Sequence, residues 1–215
     1  MTIYRVAERF KSVQGEGLFT GTPMAFVRFV GCSVGKKICA SCDTMFDQEY
    51  PWQGGGVFTA EQLFDWAAPF KHICLTGGEP LDQDLLPLLS TASKERVFHI
   101  ETSGTVFPSW ISSDQDYQHD PFVHICVSPK PGWRQGMIAV ADEVKVIVPG
   151  LGPGDEWPGL SEALTWARSG KLVYIQPRNL RSEIDKVNLA MVLTVVQEHP
   201  ELRLSVQLHK YIHVS

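Results

Sequence analysis

The sequence has no long hydrophobic run and no excess of positive charge. No segment approaches the roughly 18 consecutive apolar residues of a membrane-spanning helix, which argues against a membrane protein. Lys and Arg number 19 against 24 Asp and Glu, so the formal net charge is -5 and no basic field would attract a phosphate backbone. We therefore expect a cytoplasmic protein that binds neither a membrane nor nucleic acid.

Cysteine is scarce and unevenly placed. Of the five cysteines, Cys32, Cys39 and Cys42 crowd into one stretch. An odd number of thiols with three in one loop is poorly suited to a disulfide framework, which fits a reducing compartment. Cys74 and Cys126 lie within apolar, strand-like runs, and we interpret them as small buried hydrophobic residues.

The cysteine loop also lacks a fourth ligand, because no further cysteine and no histidine lies near it. Structural zinc sites and electron-transfer iron-sulfur clusters ordinarily take four protein ligands. Three ligands leave one position open, where a catalytic metal holds water or substrate. A four-iron cluster bound by three thiolates would keep one iron free for a small molecule. The spacing alone leaves open a zinc knuckle completed from elsewhere or a CxxC redox pair.

The remaining composition is ordinary for a globular protein, with 44% hydrophobic and 20% charged residues over 215 positions, and we expect one domain spanning 1–215. Seven apolar, β-branched runs have the length of strands: 24–30, 72–75, 97–100, 123–127, 144–148, 172–175 and 202–208. Helices are expected at 60–70, 82–93, 161–168 and 185–198, the first opening with a capping box of Thr59 and Gln62. Segments 104–121 and 150–159 are interpreted as loops.

Strands that alternate with helices and are nearly all apolar indicate an α/β fold with a mostly parallel sheet covered on its outer side. Because some crossover helices are missing, we expect an incomplete, TIM-like barrel with a reduced helix complement. In such folds the chemistry lies at the carboxyl ends of the strands.

Polar residues and glycines do follow successive predicted strands at this end. They comprise the cysteine loop, Thr76-Gly77-Gly78-Glu79-Pro80, Glu101-Thr102-Ser103-Gly104, Ser128-Pro129-Lys130, Gln176-Pro177-Arg178-Asn179, and Gln207, His209 and Lys210. Gly77 and Gly78 would let the backbone approach a bound group, and Glu79 could accept from an ammonium. We therefore expect a pocket for an amino acid at this edge.

Three thiols followed by a Gly-Gly-Glu-Pro turn resemble the radical S-adenosylmethionine (SAM) enzymes. The six residues between Cys32 and Cys39 exceed the usual first gap of that superfamily. Within it, the order of motifs along nearly the whole chain is similar to the 7-carboxy-7-deazaguanine synthases. The shared motifs are 12–17, Arg28-Phe29, Gly31-Cys32, Cys42-Asp43-Thr44, 76–80, 101–104, 128–130, Gln176-Pro177 and 203–211.

This resemblance implies a ring-contracting lyase of queuosine biosynthesis, which converts 6-carboxy-5,6,7,8-tetrahydropterin to 7-carboxy-7-deazaguanine with loss of ammonia. It implies a [4Fe-4S] cluster, S-adenosylmethionine and Mg2+ as cofactors. A radical formed from S-adenosylmethionine would abstract hydrogen from C6 of the pterin. The resemblance further implies an external electron donor such as flavodoxin and a homodimer.

The resemblance also assigns residues to each ligand. The cluster ligands would be Cys32, Cys39 and Cys42, and the magnesium ligand Thr44. Contacts to S-adenosylmethionine would come from Ser41, Cys42, Asp43, Gly78, Glu79, Ser128, Pro129, Lys130, Gln176, Pro177, Arg178 and Asn179. Contacts to the pterin would come from Val13, Gln14, Gly15, Glu16, Arg28, Thr76, His209 and Ser215.

Taken alone, several of these residues allow a structural interpretation. Arg28 could form a surface ion pair, segment 14–17 could be a hairpin turn, Thr44 could cap a loop, and His209 could be structural. Two other function classes also share the cysteine loop. One is a radical activating enzyme acting on a glycine of a protein partner, and the other is a zinc-binding module without catalysis.

Overall fold

The computed structural model describes residues 2–40, 42, 44–91, 96–111, 122–149, 156–179 and 183–213. Within this part of the chain, nine strands form one sheet: β1 Ile3–Val13, β2 Pro23–Phe29, β3 Gly56–Thr59, β4 His72–Gly77, β5 Val97–Thr102, β6 Val123–Val127, β7 Glu143–Val148, β8 Leu172–Pro177 and β9 Arg203–Leu204. Their order across the sheet is β3-β1-β2-β4-β5-β6-β7-β8-β9. The sheet is not closed, because β3 and β9 form its two edges.

The expected α/β fold with an incomplete barrel is confirmed. Seven strands, β2 and β4 through β9, pair in parallel, and these are the seven that the apolar runs predict. The predicted strand 202–208 is too long, because only Arg203–Leu204 pairs with β8 before the chain turns. Two further strands were missed: β1 pairs antiparallel with both β2 and β3.

Seven α-helices lie in the described residues: α1 Gly35–Ile38, α2 Ala60–Trp66, α3 Leu86–Leu89, α4 Gln135–Val140, α5 Leu160–Arg168, α6 Lys186–Glu198 and α7 Leu208–Ile212. The predicted capping box at Thr59 and Gln62 is present. The helix expected at 82–93 is wrong in length, since a single 3-10 turn at Pro80–Asp82 precedes the short α3. None of the described helices has the length and apolarity to cross a membrane.

The parallel strands present a different chemistry on each face. On β7, Val144 and Val146 are fully buried in the main hydrophobic core, which includes residues of α2, α5 and α6. The alternate residues Lys145 and Ile147 line a cavity on the other face. Since successive side chains on a strand point to opposite sides, β7 contributes both to the core and to the cavity.

The connection between β1 and β2 lies at the amino end of the parallel strands and folds beneath the cavity. Gln14 N donates to Thr22 O at 2.8 Å, so this segment is the hairpin turn that the sequence allowed. The ring of Phe19 lies 5.7, 4.5 and 4.9 Å from the rings of His72, His99 and His124. These imidazoles come from three neighbouring strands, so Phe19 anchors the connection to the floor of the barrel.

The row of neighbouring imidazoles, His72, His99 and His124, predicts a loss of stability in acid. His72 Nδ1 and His99 Nε2 lie 2.9 Å apart, which requires one of the two rings to accept. Burial, together with the neighbouring imidazoles, lowers the pKa of His99 from 6.5 to about 3. At a pH between these two pKa values, the unfolded chain therefore binds a proton at His99 that the folded chain does not bind. We expect stability that is complete above pH 6.5 to fall by up to about 1.4 kcal/mol per pH unit as the pH drops toward 3.

Urea unfolding at pH 7.5 and 5.5 measures this slope. His99→Gln should flatten it, whereas His199→Gln, at the carboxyl end of α6, should leave it unchanged. Equal slopes for the wild type and His99→Gln would contradict the assignment.

Candidate active site

A cavity of about 920 Å³ opens where the parallel strands end. A smaller cavity of about 130 Å³ shares part of its wall, including Glu16, Arg28 and Thr76. The larger cavity brings together thirteen of the sequence-predicted site residues: Glu16, Arg28, Cys32, Cys39, Cys42, Thr44, Thr76, Gly78, Ser128, Lys130, Gln176, Asn179 and His209. Val13, Gln14 and Gly15 line the smaller one.

Other predicted residues are not brought to either cavity wall. They are Glu79, Pro129, Pro177 and Arg178. Ser41, Asp43 and Ser215 lie outside the described residues. The predicted site is therefore assembled largely from the carboxyl ends of the strands and from the hairpin below them.

The long gap between the first two cysteines contains a helical turn. After β2 the chain passes through Gly31, whose φ is 94°, and then forms α1 between Cys32 and Cys39. Cys39 N donates to Gly35 O at 3.1 Å, and Cys42 N donates to Cys39 O at 3.0 Å. The six intervening residues are thus folded into one turn of helix, and all three cysteines still face the same cavity.

The three thiols are free, and two of them hold their protons firmly. Burial raises the pKa of Cys39 to about 11 and also raises the pKa of Cys32, although backbone N–H groups of Gly35 and Val34 oppose the latter shift. Thiolate is the form that binds metal. A positively charged group must therefore displace these protons when it binds, so binding should release them.

The cysteine loop presents the donor set of an iron-sulfur cluster. In the described part of the chain, no three His, Cys, Asp or Glu side chains converge as ligands of one metal ion must. Cys32, Cys39 and Cys42 nevertheless share one cavity wall. In an iron-sulfur cluster the cysteines bind different irons and need not converge on one point. The donor set therefore fits such a cluster.

The Gly-Gly turn after β4 packs tightly against the backbone that leads to Cys32. A Cβ atom on Gly78 would lie 1.6 Å from Gly31 O, and one on Gly77 would lie 2.3 Å from Phe29 N. Glu79 N donates to Gly31 O at 3.1 Å. The two glycines thus hold the cysteine loop in position through direct backbone contact.

Glu79 points away from the cavity, in contrast to its predicted contact with an ammonium. Its side chain is 1% exposed. The carboxylate accepts from Thr102 Oγ1 at 2.7 Å and from Ser103 N at 2.8 Å, as well as from Leu81 N. Both oxygens are therefore engaged, and Glu79 ties the Gly-Gly turn to the segment that follows β5.

Arg28 forms an ion pair and also faces the cavity. Its Nε lies 2.6 Å from Glu8 Oε1, and the two residues are opposite each other on β2 and β1. The guanidinium carbon lies 5.4 Å from the ring centroid of Phe10. Glu8 was missed by sequence reasoning, because its pairing depends on a strand that the sequence did not reveal.

A buried charged cluster forms the floor between the two cavities. Lys145 Nζ lies 2.7 Å from Glu16 Oε2 and 2.8 Å from Glu101 Oε2. Burial alone would raise the pKa of Glu16, but Lys145 outweighs it and lowers that pKa to about 2. Lys145 was also missed, although a lone lysine in an apolar strand signals a buried partner, since an unpaired buried charge is costly.

The end of the described chain returns to the hairpin. Leu208 N donates to Gly15 O at 2.8 Å, and a Cβ atom on Gly15 would lie 2.2 Å from His209 Nδ1. Gln207 donates to Glu16 Oε1 at 2.9 Å. The segment around α7 therefore covers the hairpin and places His209 at the wall of both cavities.

Known proteins resemble this chain along nearly its whole length. No protein-family model matches it. Proteins named 7-carboxy-7-deazaguanine synthase from Synechocystis sp. and Bacteroides thetaiotaomicron are each 31% identical and cover 98% of this chain, over 93% and 98% of their own lengths. The Escherichia coli K12 protein of that name is 30% identical, covering 99% of both chains.

A solved structure agrees with these relatives. The crystal structure of QueE from Escherichia coli matches with a TM-score of 0.72 and 26% identity, over 97% of this chain and 96% of that one. The fold, the order of the motifs and the length of the chain therefore all agree with those of these relatives.

Proposed function

The chain belongs to the 7-carboxy-7-deazaguanine synthase family, the ring-contracting radical SAM lyases of queuosine biosynthesis, and we propose that its cavity carries out the family's reaction. The substrate would be 6-carboxy-5,6,7,8-tetrahydropterin, and the products 7-carboxy-7-deazaguanine and ammonia. The supporting observation is that the thiols, the Gly-Gly turn, Arg28 and the hairpin residues line two cavities that share part of their wall. We propose that residues 1–215 form a single domain around it.

The pterin is a flat, polar and anionic heterocycle, and the smaller cavity offers complementary groups. Arg28 would bind the carboxylate through the terminal nitrogens of its guanidinium, while Glu8 holds the opposite side of the group. Gln14, Glu16, Thr76 and His209 supply donors and acceptors at the ring edges, with Val13 and Gly15 alongside. Ser215 is the remaining proposed contact.

Cys32, Cys39 and Cys42 would hold a [4Fe-4S] cluster whose fourth iron lacks a protein ligand. When bound, the cluster and S-adenosylmethionine supply the radical that abstracts hydrogen from C6 of the pterin. Gly78, Ser128, Lys130, Gln176 and Asn179 line the space next to the thiols, where the nucleoside would lie. Ser41, Asp43, Pro129, Pro177 and Arg178 complete the proposed set, with Glu79 positioning the turn from behind.

Magnesium would bind Thr44, since a hard cation that keeps water and substrate oxygens needs few protein ligands. Thr44 and Cys42 line the same cavity. We also propose a homodimer in the cytoplasm with an external donor such as flavodoxin. Exposed Lys36 and Lys37 on α1 suit an acidic electron donor.

One assay tests the function. The protein is reconstituted with iron and sulfide without oxygen, reduced, and given the carboxylated pterin with and without S-adenosylmethionine. We expect 7-carboxy-7-deazaguanine, identified by mass, only when S-adenosylmethionine is present. Cleavage of S-adenosylmethionine without this product would favour an activating enzyme, and bound zinc without iron or sulfide would favour a binding module. Either outcome would contradict the proposal.

A further inference from the structure

We propose that Lys145 is a positioning residue that holds Glu16 and Glu101 together as ionised acceptors for N–H groups of the substrate. The inference rests on the proposed function, because it concerns how the pterin is bound. The aminopyrimidinone ring of a pterin presents adjacent N–H donors, and a carboxylate accepts such a pair only when it is ionised.

Lys145 connects two carboxylates that come from two other elements of the fold. Glu16 comes from the β1–β2 connection, Glu101 from the end of β5, and Lys145 from β7. Strand β7 pairs with β6 and β8, so it is not paired with β5. The ammonium of Lys145, with a side chain only 3% exposed, joins these separate parts of the fold at hydrogen-bond distance.

Two amides complete the arrangement. Gln14 Nε2 donates to Glu101 Oε1 at 3.0 Å, and Gln207 Nε2 donates to Glu16 Oε1. Every carboxylate oxygen in the cluster therefore has a donor, and the orientation of both groups is fixed. Such fixed, ionised acceptors favour a ligand with donors over one with acceptors at the same edge.

The charges determine what removal of Lys145 would do. Both carboxylates lie within hydrogen-bond reach of one nitrogen, so without the ammonium two like charges remain close together in a buried site. One carboxyl would then take up a proton at neutral pH. A protonated carboxyl presents a donor where the substrate also presents one, and binding would weaken until the proton is lost at higher pH.

Other titratable groups surround the cluster and contribute to its field. They are Arg28 on β2, Cys74 on β4, Cys126 on β6, Lys130 after β6, Glu143 on β7 and His209 on α7. Of the cations among these neighbours, Arg28 is already paired with Glu8 and Lys130 Nζ donates to Ser128. Lys145 therefore provides the direct charge compensation.

The experiment compares holoenzyme variants over pH 6.5 to 9. In Lys145→Met we expect kcat/KM at pH 7 to fall at least about 10-fold, mainly through KM, which corresponds to about 1.4 kcal/mol. The value should recover as the pH rises, whereas the wild-type profile stays flat. Equilibrium binding of the pterin to the unreduced holoenzyme, which cannot turn over, should show the same pH dependence.

The double variant Glu101→Gln/Lys145→Met separates this role from a structural one. It removes one carboxylate together with the ammonium, so the remaining Glu16 has no repulsive partner. The pH dependence should then be weaker than in Lys145→Met, because only burial still raises the pKa of Glu16. If Lys145→Met fails to fold, Glu101→Gln alone keeps the ammonium beside Glu16 and should give a flat profile, so a pH-dependent Glu101→Gln would overturn the proposal. So would a Lys145→Met profile that is flat or uniformly reduced. If the wild type itself forms no deazaguanine, the proposed function fails instead.

Discussion

Replacing Cys39 by alanine is expected to abolish cluster binding and the reductive cleavage of S-adenosylmethionine. The loss should exceed the roughly 10- to 100-fold that follows removal of an outer-shell partner, since a direct ligand is lost. Cys39 is buried in the cavity wall, so no water could readily replace its sulfur. Iron and sulfide per chain after anaerobic reconstitution, and the yield of 5'-deoxyadenosine, measure the effect.

Cys74→Ala is the matched control for this experiment. Cys74 is also buried and packs against Met24 and Phe26, away from the cysteine loop. Its replacement should cost some stability and leave the iron content unchanged. A Cys39→Ala protein that retains the iron and sulfide of the wild type would contradict the ligand assignment.

Replacing Gly78 by alanine is expected to be strongly destabilising. The added Cβ would lie 1.6 Å from Gly31 O and 2.8 Å from Cys32 Cβ. Because these contacts involve backbone, no side chain can move aside to relieve them. The cost should exceed the about 1–3 kcal/mol that is typical of overpacking, and the displaced loop should also lose iron.

Urea unfolding and iron analysis measure both effects of Gly78→Ala. Gly159→Ala serves as the control, because the nearest atom to its added Cβ is Glu162 Oε2 at 3.7 Å, and it should change stability by less than about 1 kcal/mol. Wild-type stability together with a full complement of iron in Gly78→Ala would show that the turn does not support the loop.

The parallel part of the fold was predictable because its strands are buried runs. Five consecutive residues of β6 are buried, and a run of this kind is visible in any sequence. Strand β1 was missed because most residues in its second half are only half-buried and several of them are charged. Strand β3 was missed because none of its four residues is buried and it begins with a glycine.

The position of the candidate site was also predictable, since polar residues follow successive strands at one end. The pairing of side chains within the site was not predictable. Glu8 pairs with Arg28 through the antiparallel register of β1 and β2, and Lys145 reaches Glu16 across 129 positions of sequence. The orientation of Glu79 away from the cavity likewise depends on its hydrogen bonds with Thr102 and Ser103, which lie on β5 and in the loop after it. Such contacts arise only once the chain is folded.

The two-sided strands have a consequence for how this protein can change over evolutionary time. On β7, substitutions at Val144 or Val146 alter packing, whereas substitutions at Lys145 or Ile147 alter the chamber. Residues that determine the stability of the fold and residues that determine ligand selectivity therefore alternate along the same strand. During evolution, substitutions at the odd-numbered positions of β7 can change the ligand preference, while the even-numbered positions keep the core packed.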